Sequence, residues 1–205
     1  MSFAIDTLDI IFVNSALKRF MQKYFEMLVF KRFLKKYEIQ FKSKKILEAG
    51  CGSGFGLQLI QQEFHPSSLV GFDILPEQIL KAKKRNLSAK ISIGDVTDIK
   101  YPAMIFDVVF VFTVLHHVPE YPKALKEISR VLKPGGYLLI DELNKRLIDF
   151  FDKFLGVKHP KKSRFEWDSF FTAIQSANLQ IIDKLILPVG FGLLLCQKKD
   201  FKTKS

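Results

Sequence analysis

Ile46-Leu47-Glu48-Ala49-Gly50-Cys51-Gly52-Ser53-Gly54-Phe55-Gly56 decides the fold. A short apolar run enters a cluster of glycines and leaves it into a helical pattern, which makes a strand–turn–helix unit. Glycines let the backbone turn sharply there and approach a ligand whose bulk a Cβ would exclude. The spacing rules out two familiar loops. A dinucleotide fingerprint G-x-G-x-x-G begun at Gly50 needs glycine where Phe55 stands, and one begun at Gly52 needs it where Leu57 stands. A phosphate-binding P-loop needs a following Gly-Lys-Ser/Thr, and there is none.

From Lys44 onward, β-rich apolar runs at 45–49, 68–73, 89–93, 105–112 and 136–141 alternate with helical stretches, and strands separated by helices imply a parallel sheet. The helix expected over 76–85 starts at Pro76, where a first turn tolerates a missing N–H, and ends in cations that suit its negative end. The helix over 120–132 stops at Lys133-Pro134-Gly135-Gly136. A third, over 168–177, precedes apolar strands at 180–187 and 191–197. These are joined by Pro188-Val189-Gly190, a connector so short that the last strand must run antiparallel. The expected fold is therefore α/β: a Rossmann-like, seven-stranded, mostly parallel sheet with an antiparallel last strand, plus an N-terminal helical cap.

Two acidic residues extend the glycine loop into a site. Asp73 closes the second strand, where a carboxylate can accept hydrogen bonds from both hydroxyls of a ribose, and Asp95 lies just past the third. Each also fits a local role, Asp73 as a cap before Pro76 and Asp95 as a turn residue. Together with the loop they occupy the C-terminal ends of three successive parallel strands, where open α/β sheets bind ligands.

The chain has 205 residues, 48% of them hydrophobic and 26% charged, enough for one packed domain and unlike a disordered or collagen-like chain. Its 32 Lys and Arg against 21 Asp and Glu give +11, which first suggests an acidic partner such as nucleic acid or lipid headgroups. The excess is concentrated at the ends. Residues 16–45 carry Lys18, Arg19, Lys23, Lys31, Arg32, Lys35, Lys36, Lys42, Lys44 and Lys45 against Glu26 and Glu38, while 46–196 are nearly neutral. Leu17, Phe20, Tyr24, Leu28 and Leu34 recur at near-helical spacing with the cations mostly between them. The expected division is a basic amphipathic helical cap at 1–43, an α/β domain at 44–198 and a basic tail at 199–205.

Cys51 and Cys196 have no C-x-x-C or Cys/His spacing near them, so neither a disulfide framework nor a metal site is expected. Asp6 and Asp9 stand where a signal peptide would be basic. The longest uncharged apolar stretch, 185–196, is too short to span a bilayer and is broken by Pro188, Gly190 and Gly192. A soluble, cytoplasmic protein is the expectation.

Further motifs follow in order: Gly71-Phe72-Asp73, Gly94-Asp95-Val96, Phe106-Asp107-Val108-Val109 leading to Leu115-His116-His117-Val118, and Arg130-Val131-Leu132-Lys133-Pro134-Gly135-Gly136. With these the chain, over about 44–198, strongly resembles the class I S-adenosylmethionine-dependent methyltransferases, particularly the type 11-like small-molecule group of quinone and lipid biosynthesis. The resemblance implies S-adenosylmethionine as cofactor and S-adenosylhomocysteine as product. It implies that Glu48 meets the methionine amino group, that Gly50, Gly52 and Gly54 line the methionine and ribose, and that Asp73 holds the ribose hydroxyls. It places Ile74 and Val96 against the adenine, Asp95 at the adenine amino group, and Thr113 on the methionine side.

His116 and His117 follow the fourth strand near the expected acceptor position, and imidazole exchanges protons near neutral pH. Both are candidates for a catalytic base, His116 being slightly preferred on the resemblance because adjacent residues on an extended chain face opposite ways; the alternative is that one packs structurally and the other lies at the surface. The parts that vary in the family, here 1–41 and 144–164, are where a small-molecule acceptor pocket is expected. Phe150, Phe151, Phe154, Phe165, Trp167, Phe170 and Phe171 are candidates to line it or to join the core. Phe112-Thr113-Val114-Leu115-His116 replaces the N-P-P-[FYW] motif of amino-methylating nucleic-acid enzymes, and no RNA-binding module is recognisable. The basic helix is read as a solvated cap, a contact with an anionic membrane surface, or, least well supported, an RNA contact. The alternatives to small-molecule methylation are a non-catalytic cofactor-binding scaffold and an RNA or protein methyltransferase.

Overall fold

The computed structural model describes residues 14–200; the start of the expected cap, 1–13, and the end of the basic tail, 201–205, lie outside the described residues. One seven-stranded sheet runs through the molecule in the order β3-β2-β1-β4-β5-β7-β6. The strands are β1 Lys45–Ala49, β2 Ser68–Asp73, β3 Lys90–Ile93, β4 Phe106–Phe112, β5 Leu132–Leu143, β6 Leu179–Ile186 and β7 Phe191–Lys198. All neighbours up to β5 pair in parallel, and β7 runs antiparallel to both β5 and β6, as the short Pro188-Val189-Gly190 connector requires. Strand order reverses between β1 and β4, and that crevice is where an open α/β sheet takes a ligand.

The central strand shows why the sheet is buried on both sides. In β4, Val109 and Val111 pack with Leu125, Ile128, Phe170 and Ile174 of one core, while Val108, Phe110 and Phe112 pack with Phe30, Phe33, Leu57 and Ile60 of the other. Helices α3 Phe55–Phe64, α4 Pro76–Lys83, α5 Tyr121–Val131, α6 Lys145–Leu155 and α7 Trp167–Ser176 follow α1 and α2, described below. Two boundaries differ from the sequence reading. β5 begins at Leu132, because a register shift between Phe106 and Val108 takes Lys133-Pro134-Gly135-Gly136 into the strand as a bulge. α4 ends before Arg85, whose side chain is drawn to the glycine loop, its Nε donating to the Ser53 carbonyl at 2.6 Å.

The N-terminal rod departs most from expectation. It comprises α1 Ala16–Met21, a π-helical turn Gln22–Glu26 and α2 Met27–Lys36. Its buried apolar face is Met27, Phe30, Phe33 and Leu34, and Phe30 meets Phe110 edge-on at 6.3 Å. Of the expected stripe only Leu34 is buried; Leu17, Phe20, Tyr24 and Leu28 are 55–64% exposed. The inward face of the first half is instead Lys18, Gln22 and Glu26, spaced four apart on one side of the helix. Lys18 is thus a buried cation rather than part of a solvated face, because carboxylates at the sheet end meet it there.

Candidate functional site

At the end of β1 the chain folds back on itself. Gly50, Gly52 and Gly54 all take left-handed backbone angles, and Gly54 is the N-cap of α3. A Cβ on Gly54 would come within 3.0 Å of Ala82, so strain and crowding both favour glycine there. Gly56 is needed for another reason: a Cβ would stand 2.1 Å from Oε1 of Glu48, which lies under the first turn of α3. Glu48 is buried, its Oε2 has no hydrogen-bond partner, and burial, helped by Asp73 and Asp141, pushes its carboxyl well above the usual range.

Asp73 is bound into the loop. One of its oxygens accepts the Gly52 N–H and the other the Leu75 N–H, each at 2.9 Å; burial raises its pKa and these N–H groups oppose the rise. Two backbone contacts leave lone pairs on both oxygens. Ile74 is half-buried beside it. Asp95 closes a tight turn, its Oδ1 accepting the Thr97 N–H and hydroxyl, with Val96 buried next to it.

Thr113, at the end of β4, is a β-branched residue held at φ +57°, a conformation that persists only where its surroundings impose it. Its hydroxyl donates to Asp141 at 3.1 Å and accepts from the Lys18 ammonium at 2.9 Å. Lys18 also pairs with Glu26 at 2.7 Å and approaches Asp141 at 3.7 Å. Burial opposes that ammonium, but Asp141 and Glu26 outweigh it and hold its pKa above the ordinary value. Two carboxylates share one cation, so burial and the Asp141 charge push the Glu26 carboxyl well above the usual range. The N-terminal rod therefore closes the end of the sheet with a polar cluster that hydrophobic patterning did not foretell.

The two histidines lie on a 3₁₀ turn, Leu115–His117, not on extended chain. Their rings are 4.0 Å apart and face the same cavity, which corrects the expectation of opposite faces. Burial holds both imidazoles well below their ordinary pKa and hence neutral. Nδ1 of His116 meets Oε2 of Glu142 at 2.7 Å, and Glu142 also accepts the Val114 and Leu115 N–H groups. Burial pushes Glu142 up to about 7 against those N–H groups. His159, from the loop after α6, completes the cluster.

The cavity has a volume of about 340 Å³. Its polar end is Lys18, Glu26, Thr113 and the three histidines, and its apolar walls include Leu17, Met21, Leu147, Phe151, Val189 and Phe191. Of the expected acceptor aromatics only Phe151 lines it. Phe165 and Phe170 stack at 4.2 Å in the core with Trp167 and Phe171 against them, while Phe150 and Phe154 are exposed. Sequence reading missed Lys18, Glu26, Asp141, Glu142 and His159. Asp141-Glu142, an acidic pair ending an apolar strand, was the available signal; His159 in a Lys/Pro-rich loop offered none.

A family model described as a methyltransferase domain matches residues 47–140, from within β1 into β5. Over these residues the chain is similar to this methyltransferase family. Among curated relatives it is 33% identical over 108 residues to a phthiotriol/phenolphthiotriol dimycocerosates methyltransferase of Mycobacterium leprae, covering 52% of this chain and 40% of that protein. It is 33% identical over 107 residues to a fatty-acid O-methyltransferase of Mycolicibacterium smegmatis, covering 51% and 39%. These matches span about two fifths of the relatives' length. A methyltransferase structure from Aquifex aeolicus superposes with a TM-score of 0.73 over 95% of this chain and all of that one, at 16% identity, a likeness of fold.

The resemblance to S-adenosylmethionine-dependent methyltransferases implies that donor, and the residues of the candidate site fit it on charge. The donor carries a sulfonium and an ammonium, and the carboxyls of Glu26, Glu48, Asp73, Asp141 and Glu142 gather at this end of the sheet. The unpartnered, buried Oε2 of Glu48 is where an ammonium would favour the charged carboxylate against the burial that disfavours it.

Proposed function

We propose that this chain transfers a methyl group from S-adenosylmethionine to a nucleophilic atom of an apolar, lipid-like small molecule bound in the 340 Å³ cavity. The observation that carries this reading is the cavity itself: apolar walls, with His116, His117 and Thr113 lining it where β4 ends, next to the strand β1 that enters the glycine loop. Glu48 takes the methionine ammonium, Gly50, Gly52 and Gly54 line the methionine and ribose, and Asp73 takes the ribose hydroxyls. Ile74 and Val96 pack on the adenine, with Asp95 at its amino group, and Thr113 closes the methionine side.

The cofactor supplies an activated methyl group on a neutral leaving group, so the protein's task is alignment, exclusion of water and removal of a proton from the acceptor. With Nδ1–H donated to Glu142, His116 presents Nε2 as the base and His117 flanks the same acceptor. The fatty-acid and phthiotriol methyltransferase names of the relatives support an acceptor of this class.

The rim of the cavity supports delivery from a membrane surface. Leu17, Met21 and Val189 line the cavity and are also 62%, 38% and 57% exposed; Phe20, Tyr24, Leu28, Phe150 and Phe154 are exposed as well, with Lys23 over the Tyr24 ring and Lys153 over the Phe154 ring. No helix among the described residues is long and apolar enough to cross a membrane. The test is methyl transfer to a panel of long-chain fatty acids, hydroxylated lipids, quinols, phenols and RNA. Turnover of apolar acceptors is expected; turnover of RNA alone would overturn the acceptor assignment.

A further inference from the structure

His116, His117 and His159 each place one ring nitrogen so that the three lie within 4.8 Å of one another at the inner end of the cavity. We propose that these histidines form a binding site for one divalent cation of the zinc type, with an open coordination position facing the cavity. This goes beyond the methyl-transfer reading: it leaves the cofactor site as proposed and replaces the base role of His116 by a ligand role. Zinc–imidazole bonds of about 2.0–2.1 Å put tetrahedral ligand atoms roughly 3.3 Å apart, so nitrogens now within 4.8 Å of one another have to draw in by up to about 1.5 Å to close on an ion. An all-imidazole set suits zinc, cobalt, nickel, copper or iron and disfavours magnesium and calcium, which take oxygen ligands.

The surroundings are those of a held site rather than of three stray rings. Glu142 fixes the His116 ring through Nδ1 at 2.7 Å, and Asp152 binds Nδ1 of His159 in the same way, which is how carboxylates orient metal-binding histidines. Asp152 is itself held by Arg164. Ser163, fully buried, donates its hydroxyl to the His116 carbonyl and so ties the loop bearing His159 to the turn bearing His116 and His117. Two carboxylates stand behind the ligands to balance a doubly charged ion. At the open position an acceptor oxygen would meet a Lewis acid and lose its proton more readily. The imidazoles would then act as ligands, and the proton would pass to solvent rather than to His116.

Tag-free full-length protein, stripped with a chelator and dialysed, is titrated with Co²⁺ and its visible spectrum recorded, and Zn²⁺ is then added as competitor. One equivalent of Co²⁺ with intense d–d bands of a four- or five-coordinate ion, lost when Zn²⁺ displaces it, is expected. His159→Ala should abolish the bands. Asp152→Asn, which keeps all three ligands, should weaken the affinity about 10–100-fold. Circular dichroism checks folding, and calorimetry with S-adenosylhomocysteine on the same samples reports the cofactor site separately. Only the weak spectrum of hydrated Co²⁺, or an unchanged affinity in folded Asp152→Asn and His159→Ala, would overturn the proposal.

Discussion

At the scale of single residues, the proposed role of Glu48 would link cofactor binding to pH. Its carboxyl is held well above the ordinary 4.5 by burial, so its contribution to folding is complete below that value and lost as pH rises through the folded-state pKa. A ligand ammonium needs the ionised form, so affinity for S-adenosylmethionine should instead increase with pH over that interval. Glu48→Gln should therefore melt higher than wild type at pH 8, by about 3 °C per kcal/mol recovered, while binding the cofactor about 10–100-fold more weakly. Thermal melts and calorimetry across pH 5 to 8 check both signs; a variant that melts lower and binds normally would refute the role. At the acceptor end, His116→Gln should reduce kcat by about 10²-fold or more with little change in cofactor affinity, as measured by single-turnover methyl transfer. The positions of Glu48, Asp73 and the glycines at strand ends are legible in sequence because the pattern locates those ends. Gly56 is not, since the reason for it is an oxygen of Glu48 seen only once the helix is built.

At the scale of elements, the N-terminal rod separates what patterning can reach from what it cannot. Its helical period is legible, but which face turns inward depends on partners at the sheet end: Asp141 and Thr113 draw in Lys18 and Glu26, leaving Leu17, Phe20, Tyr24 and Leu28 outside. Lys18→Met should destabilise the protein by about 3 kcal/mol, because it strands buried carboxyls, and lower Tm by roughly 10 °C. Adding Glu26→Gln should recover part of that loss, a coupling a thermal double-mutant cycle measures. Replacing Phe20 and Leu28 by serine should leave Tm nearly unchanged and abolish sedimentation with anionic liposomes at low salt. Wild-type protein that fails to sediment would dismiss the membrane contact.

At the scale of the whole molecule, strand order, the antiparallel closing strand and the placement of the cofactor crevice all follow from motif order along the chain, because parallel strands joined by helices allow few topologies. The cavity does not follow, since its walls come from α1, α6 and the β6–β7 hairpin, segments distant in sequence that meet only through the fold. The basic charge likewise gains meaning from placement: Lys18 is consumed inside, and Lys23 lies beside an exposed aromatic ring near the rim. The central claim is that the C-terminal ends of β1 and β2 form an S-adenosylmethionine site. Calorimetric titration with S-adenosylmethionine and S-adenosylhomocysteine tests it most directly: stoichiometric binding of both, weakened about 100-fold in Asp73→Ala, is the predicted result, and the absence of binding to either by folded wild-type protein would contradict it.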